Sequence, residues 1–234
     1  MSKKANKAAS LEELYTLLID LTKSDKELLS QVRKNTRYEI NRAKEKDNIK
    51  CLTFFEKNEK NKEKIFRYMD FYNTFAMSKN RSPIKFPDLE QFYDSETICI
   101  RYASKDDDEA EILTMHAYII SDNTARLHQS SSLFRTREDS EYRNLVARSN
   151  RLLHWDDILY FKNKGLGFYD LGGWYGGQIL KEQLLINQFK ESFGGERKQE
   201  YTYIVPVSIQ GEMAVRFYAM FKHLKNIFKK RTDK

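Results

Sequence analysis

Asp170 stands two residues ahead of Gly172-Gly173, at the end of a short apolar run, where a carboxylate can orient an amine or accept its proton. The alternative role for it is a cap on the turn that follows. His116 and His128 each fall in a stretch of alternating apolar residues, which would turn one or the other toward a cleft as a base; a packed strand histidine is the inert alternative. Tyr169 and Trp174 flank the same turn and suit either an acceptor pocket or the core, and His154-Trp155 suits the core. No Gly-x-Ser-x-Gly elbow is present. Cys51 and Cys99 are far apart and lack a second cysteine or histidine at ligand spacing, so both read as buried thiols and no metal is expected. What remains is acid–base and electrostatic chemistry on a substrate held in place, without a covalent nucleophile.

The chain that must position these groups has 234 residues, 40% of them hydrophobic and 13% aromatic, with 9 Gly and 3 Pro. That composition excludes disordered, collagenous and Pro-rich classes and is long enough for a real core. A formal charge of +7 comes from 41 Lys and Arg against 34 Asp and Glu, and it favours acidic partners such as phosphates, tRNA or anionic lipid. Lys57 to Lys64 alternates with Glu and reads as a solvated helix face. No run approaches the roughly 18 apolar residues of a membrane span, and no signal-peptide core is visible, so the expected location is cytoplasmic.

Leucines at 11, 14, 17, 18 and 21, with Ser10 and Glu13 in a capping-box pattern, predict a first helix. A second, strongly cationic helix is expected from about Leu28 to Lys46, then a strand from Ile49 to Phe55 and a helix from Lys62 to Met77, broken by the prolines between Ser78 and Pro87. The period then changes to two: Thr97–Ala103, Ile112–Ile120 and Thr124–Ser131 read as an antiparallel meander, with turns at Lys105–Glu109 and Asp122-Asn123. A helix from about Tyr142 to Lys164, a strand at 168–171, a helix from Ile179 to Phe193 ended by Gly194-Gly195, and a strand from Thr202 to Val207 complete an α+β layered domain. The segment from Glu212 to Lys230 carries Met213, Phe217, Met220, Phe221, Leu224 and Phe228 on one face and Lys222, Lys225, Lys229 and Lys230 elsewhere. It reads as a basic amphipathic helix that docks on its own domain or on the anionic inner membrane surface.

Three spaced motifs then stand out: Leu-His-Trp-Asp-Asp-Ile at 153–158, Phe-Tyr-Asp-Leu-Gly-Gly at 168–173 and Phe-Lys-Glu-Ser-Phe-Gly-Gly-Glu at 189–196. In this order, and with the basic stretch Arg37 to Lys44 upstream, they resemble the Fem-type branch of the GNAT acyltransferases over roughly residues 28 to 206. The resemblance implies a GNAT-like single domain, a mixed and mainly antiparallel sheet flanked by helices, at 28–207, between an N-terminal helix within 1–27 and the basic helix at 208–234. It also implies transfer of an acyl or aminoacyl group to an amine of a sugar or cell-envelope precursor, by direct attack. Fem-type proteins usually carry two such units and this chain has room for one, which favours amino sugars of surface polysaccharides over lipid-linked peptidoglycan as acceptor.

In that family the Phe189-Lys190 pair sits at the reacting ester and is tied to oxyanion or phosphate stabilisation, so the resemblance makes Lys190, Phe189 and Asp170 the catalytic candidates. Tyr169, Trp174, His128, Arg37 and Arg135 are the substrate-binding candidates: the aromatics and His128 for the acceptor, Arg37 for docking of tRNA or phosphate from the cationic helix, and Arg135 with Arg137 for phosphates. No tightly bound cofactor is expected, and the donor enters as a co-substrate: aminoacyl-tRNA, a carrier-protein thioester or acyl-CoA. The stretch after Ser132, Leu-Phe-Arg-Thr-Arg-Glu-Asp-Ser, contains no glycine for a pyrophosphate cradle, which favours the first two. Two other readings stay open: a coenzyme A-dependent N-acetyltransferase, and a non-catalytic protein that binds nucleic acid or a membrane surface through its basic helices.

Overall fold

The computed structural model describes residues 10–56, 61–105, 111–218 and 220. In chain order the elements are β1 (Ser10–Asp20), α1 (Asp25–Gln31), α2 (Lys34–Glu45), β2 (Ile49–Phe55), α3 (Lys62–Ser78), α4 (Phe86–Asp94), β3 (Ile98–Lys105), β4 (Ile112–Ser121), β5 (Thr124–Ser132), a 3-10 turn (Leu133–Arg135), α5 (Ser140–Asn163), β6 (Phe168–Trp174), α6 (Lys181–Glu191) and β7 (Glu196–Ile204). The chain divides into a larger unit, Leu17–Arg197, and a smaller one formed by its two ends. The smaller unit holds the first part of β1, the last part of β7 and a helix over 209–218, on which Ile209, Met213 and Phe217 are exposed.

The strands form one mixed sheet in the order β2-β3-β4-β5-β6-β1-β7, the α+β arrangement expected from the sequence. The expected meander is present as antiparallel pairs β3–β4 and β4–β5; β2 also pairs antiparallel with β3, whereas β5 and β6 run parallel. Alternation along β3 explains the two cores: Ile98, Ile100 and Tyr102 face one buried cluster with Phe54, Ile65, Tyr68 and Leu89, while Cys99 and Ala103 face another with Ile40, Val146, Leu153 and Phe161. The sheet is thus sandwiched, with α3 and α4 on one face and α2 and α5 on the other.

Several sequence expectations need correction, among them the strand expected at 168–171, which runs on to Trp174. The segment that carries these leucines is strand β1, not a helix: Leu17, Ile19 and, just past the strand, Leu21 are buried in alternation, so Leu17 and Leu21 of the helical stripe also fit a period of two, and sheet pairing decides. The working capping box lies further on, where Ser24 and Glu27 cap α1 reciprocally. The cationic helix is two helices, split where Val32 turns extended into the core and the Arg33 N–H donates to the Ser192 carbonyl at 2.9 Å. The proline segment is followed by helix α4, which uses Pro87 at its start, where a missing N–H is harmless. The last strand begins six residues earlier than expected, because its polar opening at an edge of the sheet carries no apolar alternation. Part of the Lys57–Lys64 run, most of the Lys105–Glu109 turn, and Lys222, Lys225, Lys229 and Lys230 of the basic helix lie outside the described residues. No helix among the described residues is long and apolar enough to cross a membrane.

Candidate active site

The parallel pairing of β5 with β6 covers only Thr124–Arg126 against Phe168–Asp170. Beyond those residues regular pairing ends, with one further close approach at Leu127 and Gly172, and a cavity of about 370 Å³ is lined by Leu127, His128, Ser130 and Ser132 of β5 and Leu171, Gly172 and Gly173 of β6. Strand edges that separate leave backbone N–H and C=O groups facing the gap, suited to holding an extended substrate. Asn150 and His154 of α5 close one wall, Phe189 and Lys190 of α6 another, and Lys79 and Arg81 the mouth.

The tight turn of backbone inside β6, at the end of the pairing, is built by Asp170. It is buried, its Oδ1 accepts from the Gly172 N–H at 2.7 Å, and its Oδ2 meets Arg126 Nε at 3.4 Å. Gly172 has φ +72°, and a Cβ there would stand 3.0 Å from the Leu127 carbonyl oxygen, so this close approach of the two strands needs glycine. Gly195 answers a similar need: with φ +90°, a Cβ would lie 2.8 Å from the Leu18 carbonyl oxygen of β1.

Lys190 reaches from the last turn of α6 to the parted end of β6, donating to the carbonyls of Gly172 at 3.3 Å and Gly173 at 2.5 Å. An ammonium has three donors, so one is left for an oxygen in the cavity. Burial holds its pKa down, to about 8, against the favourable field of Asp170. Phe189 lines the cavity beside it, packed on His154 and Phe193 with ring centroids 5.5 and 5.4 Å away. Lys79 is likewise held below its ordinary value, first by burial and then by Arg135 and Arg81.

Of the sequence candidates, the cavity therefore brings together Lys190, Phe189 and His128, which is exposed at the rim with its ring 5.4 Å from that of Phe92. Asp170 supports the turn and does not line the cavity. Tyr169 is buried with its hydroxyl in a core network, so it does not line an acceptor pocket: on β6 the side chain after Phe168 points to the α5 face. Trp174 is also outside the cavity, its indole N–H donating to Glu191 and its ring covered by Arg197. Arg37 is a helix cap, its guanidinium donating to the carbonyls of Leu29, Ser30 and Val32 at the end of α1. Arg135 is exposed on the 3-10 turn and touches the site only through its field at Lys79.

Sequence reasoning passes over Lys79, Arg81 and Asn150, and over a buried polar network behind the cavity. Arg101 Nε donates to Asp157 Oδ1 at 2.7 Å, its Nη1 to Thr53 at 2.9 Å, and its Nη2 to Asp156. Asp157 Oδ2 accepts from the Tyr118 hydroxyl at 2.6 Å and lies 2.8 Å from His116 Nδ1, whose Nε2 is 2.9 Å from the Asn150 amide. His116 is thus wholly buried and outside the cavity. A lone arginine in the apolar run Ile98–Ala103 and an Asp pair on an apolar helix are the signals that mark such a network.

The stretch after β5 forms the 3-10 turn and then α5, whose first free amides, of Glu141 and Tyr142, are taken by the Asp139 carboxylate at 3.0 and 3.1 Å. Both thiols are held protonated by burial, Cys99 pushed up to about 12 and Cys51 well above its usual range, and neither lines the cavity.

No protein-family model matches the sequence, and no curated protein matches it. Solved structures share its fold. FemX superposes with a TM-score of 0.61 at 10% identity, over 81% of this chain and 61% of that one. The C-terminal domain of a putative lysylphosphatidylglycerol synthetase from Agrobacterium fabrum gives 0.53 at 13% identity, over 82% and 60%, and L-PGS from Bacillus licheniformis gives 0.53 at 11%, over 88% and 65%. The chain thus spans less than two thirds of each of these structures. At such identities the likeness is one of fold, and the fold is the Fem-like one that the three motifs imply.

Proposed function

We propose that this protein transfers an acyl or aminoacyl group from an activated ester or thioester to an amine of a sugar or cell-envelope precursor. The reaction takes place in the cavity where β5 and β6 part, by direct attack of the amine on the held carbonyl. The observation that carries this reading is Lys190: a half-buried ammonium anchored by two β6 carbonyls, with one donor left for the cavity, is suited to a carbonyl oxygen that gains charge in the transition state. The fold shared with FemX and with a putative lysylphosphatidylglycerol synthetase, by its name an enzyme that makes a lysyl phospholipid, supports the same class of chemistry.

Lys79 and Arg81 at the mouth favour a substrate that carries phosphate, as nucleotide-linked sugars and tRNA do. Acyl-CoA fits less well as the donor. The helix start that would receive its pyrophosphate already holds the Asp139 carboxylate, whose negative charge repels a second anion. Arg37 is taken up by its cap and Arg135 stands outside the cavity, so neither is assigned to substrate.

The test is mass spectrometry of amino-sugar nucleotides incubated with the protein and, in parallel, total charged tRNA or acyl-CoA. The reading expects an amide product with charged tRNA. Product only with acyl-CoA assigns the protein to coenzyme A-dependent acetylation, and no product from any pair removes the transferase reading.

A further inference from the structure

His154 lies in the wall of the cavity yet is 1% exposed. Its Nδ1 is 2.8 Å from the Tyr169 hydroxyl, that hydroxyl is 2.8 Å from the Tyr118 hydroxyl, and Tyr118 donates to Asp157 Oδ2 at 2.6 Å. Because Asp157 is acceptor-only when ionised, the whole chain takes one direction: Nδ1–H to Tyr169, Tyr169 to Tyr118, Tyr118 to the carboxylate. No buried side-chain nitrogen or oxygen among the described residues lacks a partner, and His154 Nε2 has none there, so Nε2 opens to the cavity it lines.

We propose that His154 Nε2 accepts the proton shed by the attacking amine and that Tyr169 and Tyr118 relay the charge to Asp157. This rests on the transferase reading above. As the new N–C bond forms, nitrogen loses a proton to Nε2. The Nδ1 proton moves to Tyr169, that of Tyr169 to Tyr118, and that of Tyr118 to Asp157. As the ester C–O or thioester C–S bond breaks, Nε2 returns one proton to the leaving oxygen or sulfur, and the three relay protons shift back, so the protein ends as it began.

The relay answers a difficulty in the site itself. Burial, the neighbouring His116 ring with its centroid 4.1 Å away, Lys190 of α6 and Arg151 of its own helix all oppose an imidazolium at His154, and its pKa lies well below the usual value. A proton received at Nε2 must therefore leave from Nδ1, where Tyr169 of β6 is the partner in place. Phe189 and Phe193 pack the remaining faces of the ring with no group that could take it. At the far end Asp157 is held by Arg101 of β3 and faced by His116 and Tyr118 of β4. Burial keeps both tyrosines protonated, as carriers must be.

Two measurements on the full chain test this. In ¹⁵N-histidine NMR at neutral pH, wild-type His154 is expected as the Nδ1–H tautomer, a preference lost in Tyr169→Phe. A proton found on Nε2 instead reverses the chain and overturns the proposal, whatever the protein catalyses. In amide formation from charged tRNA and an amino-sugar nucleotide, Tyr118→Phe, whose ring stays while its hydroxyl goes, is expected to lower kcat by about 100-fold, the lower end of the range of general-base catalysis. KM should hold and the melting temperature should fall while the protein stays folded, since the buried Asp157 carboxylate and Tyr169 hydroxyl each lose a partner; the solvent-deuterium proton inventory should change from curved to linear. Tyr169→Phe should do the same, which guards against a fold defect in either variant. Wild-type turnover that Tyr118→Phe and Tyr169→Phe both retain refutes the relay alone, whereas absence of turnover in the wild type refutes the transferase reading and the relay's role in it.

Discussion

Replacing Lys190 by Met separates catalysis from stability in a way that the geometry makes quantitative. The ammonium is expected to contribute one charged donor to the developing oxyanion, worth about 2.7–4 kcal/mol, so kcat should fall about 100- to 1,000-fold. On the stability side, two backbone carbonyls lose their donor; they line the cavity, where water replaces it, so the cost stays near the low end of about 1–3 kcal/mol each. Against this, the folded state no longer holds a charge whose pKa is lowered to about 8, a penalty on the order of 3 kcal/mol at neutral pH. The two nearly cancel, so the melting temperature should stay level or rise. The sign with pH follows: between about 8 and the unfolded value near ~10.4, the unfolded chain binds more protons at this site, so it makes wild-type stability rise with pH there, and the penalty is complete below about 8. In Lys190→Met that slope disappears. Amide formation would be read by mass spectrometry and stability by thermal melting at several pH values. Turnover within about threefold of wild type at an unchanged melting temperature would refute the role given to Lys190, and a large loss of melting temperature would refute the cancellation.

Gly172→Ala should lower stability by about 1–2 kcal/mol, because a side chain is forced into φ +72° and against the Leu127 carbonyl; thermal melting checks this, and an unchanged melting temperature would mean that the strands part more freely than the contact implies. Arg101→Met should cost about 3–5 kcal/mol by leaving Asp157 charged, buried and without its cation, and denaturant titration should show part of that loss recovered when Asp157→Asn is added. Calorimetry with acetyl-CoA should show no binding tighter than about 100 μM, since Asp139 occupies the helix start; a Kd near 1 μM, about −8 kcal/mol, would put coenzyme A back as the donor.

Where secondary structure follows from local pattern, the sequence was a good guide: the β3–β5 meander and α5 lie where alternation and helical period placed them, whereas β6 runs on through Gly172-Gly173 to Trp174 instead of ending there. The first strand is misread because Leu17 and Leu21 fit both a helical stripe and, with Ile19 between them, an alternation, and only pairing with distant residues chooses between the two. At the site, Lys190 and Phe189 were accessible through the motif near Gly194-Gly195. Asp170 and Tyr169 carried the right chemistry in the wrong place, since a side chain's face on a short strand depends on register. The network of Arg101, His116, Tyr118, Asp157 and Tyr169 draws on β3, β4, α5 and β6, and no local pattern joins residues so far apart. Lys79 and Arg81 escaped notice because the segment between α3 and α4 has no period from which to infer its position.

The central claim, direct amine attack in the cavity between β5 and β6, is tested most directly by a single-turnover reaction with isotope-labelled charged tRNA. Rapid quenching would follow the amide product and the intact mass of the protein together. The account predicts that amide appears at the rate at which the donor ester is lost, that the protein's mass never changes, and that both slow together in Lys190→Met. An acylated protein that forms before the amide and decays into it would contradict the account.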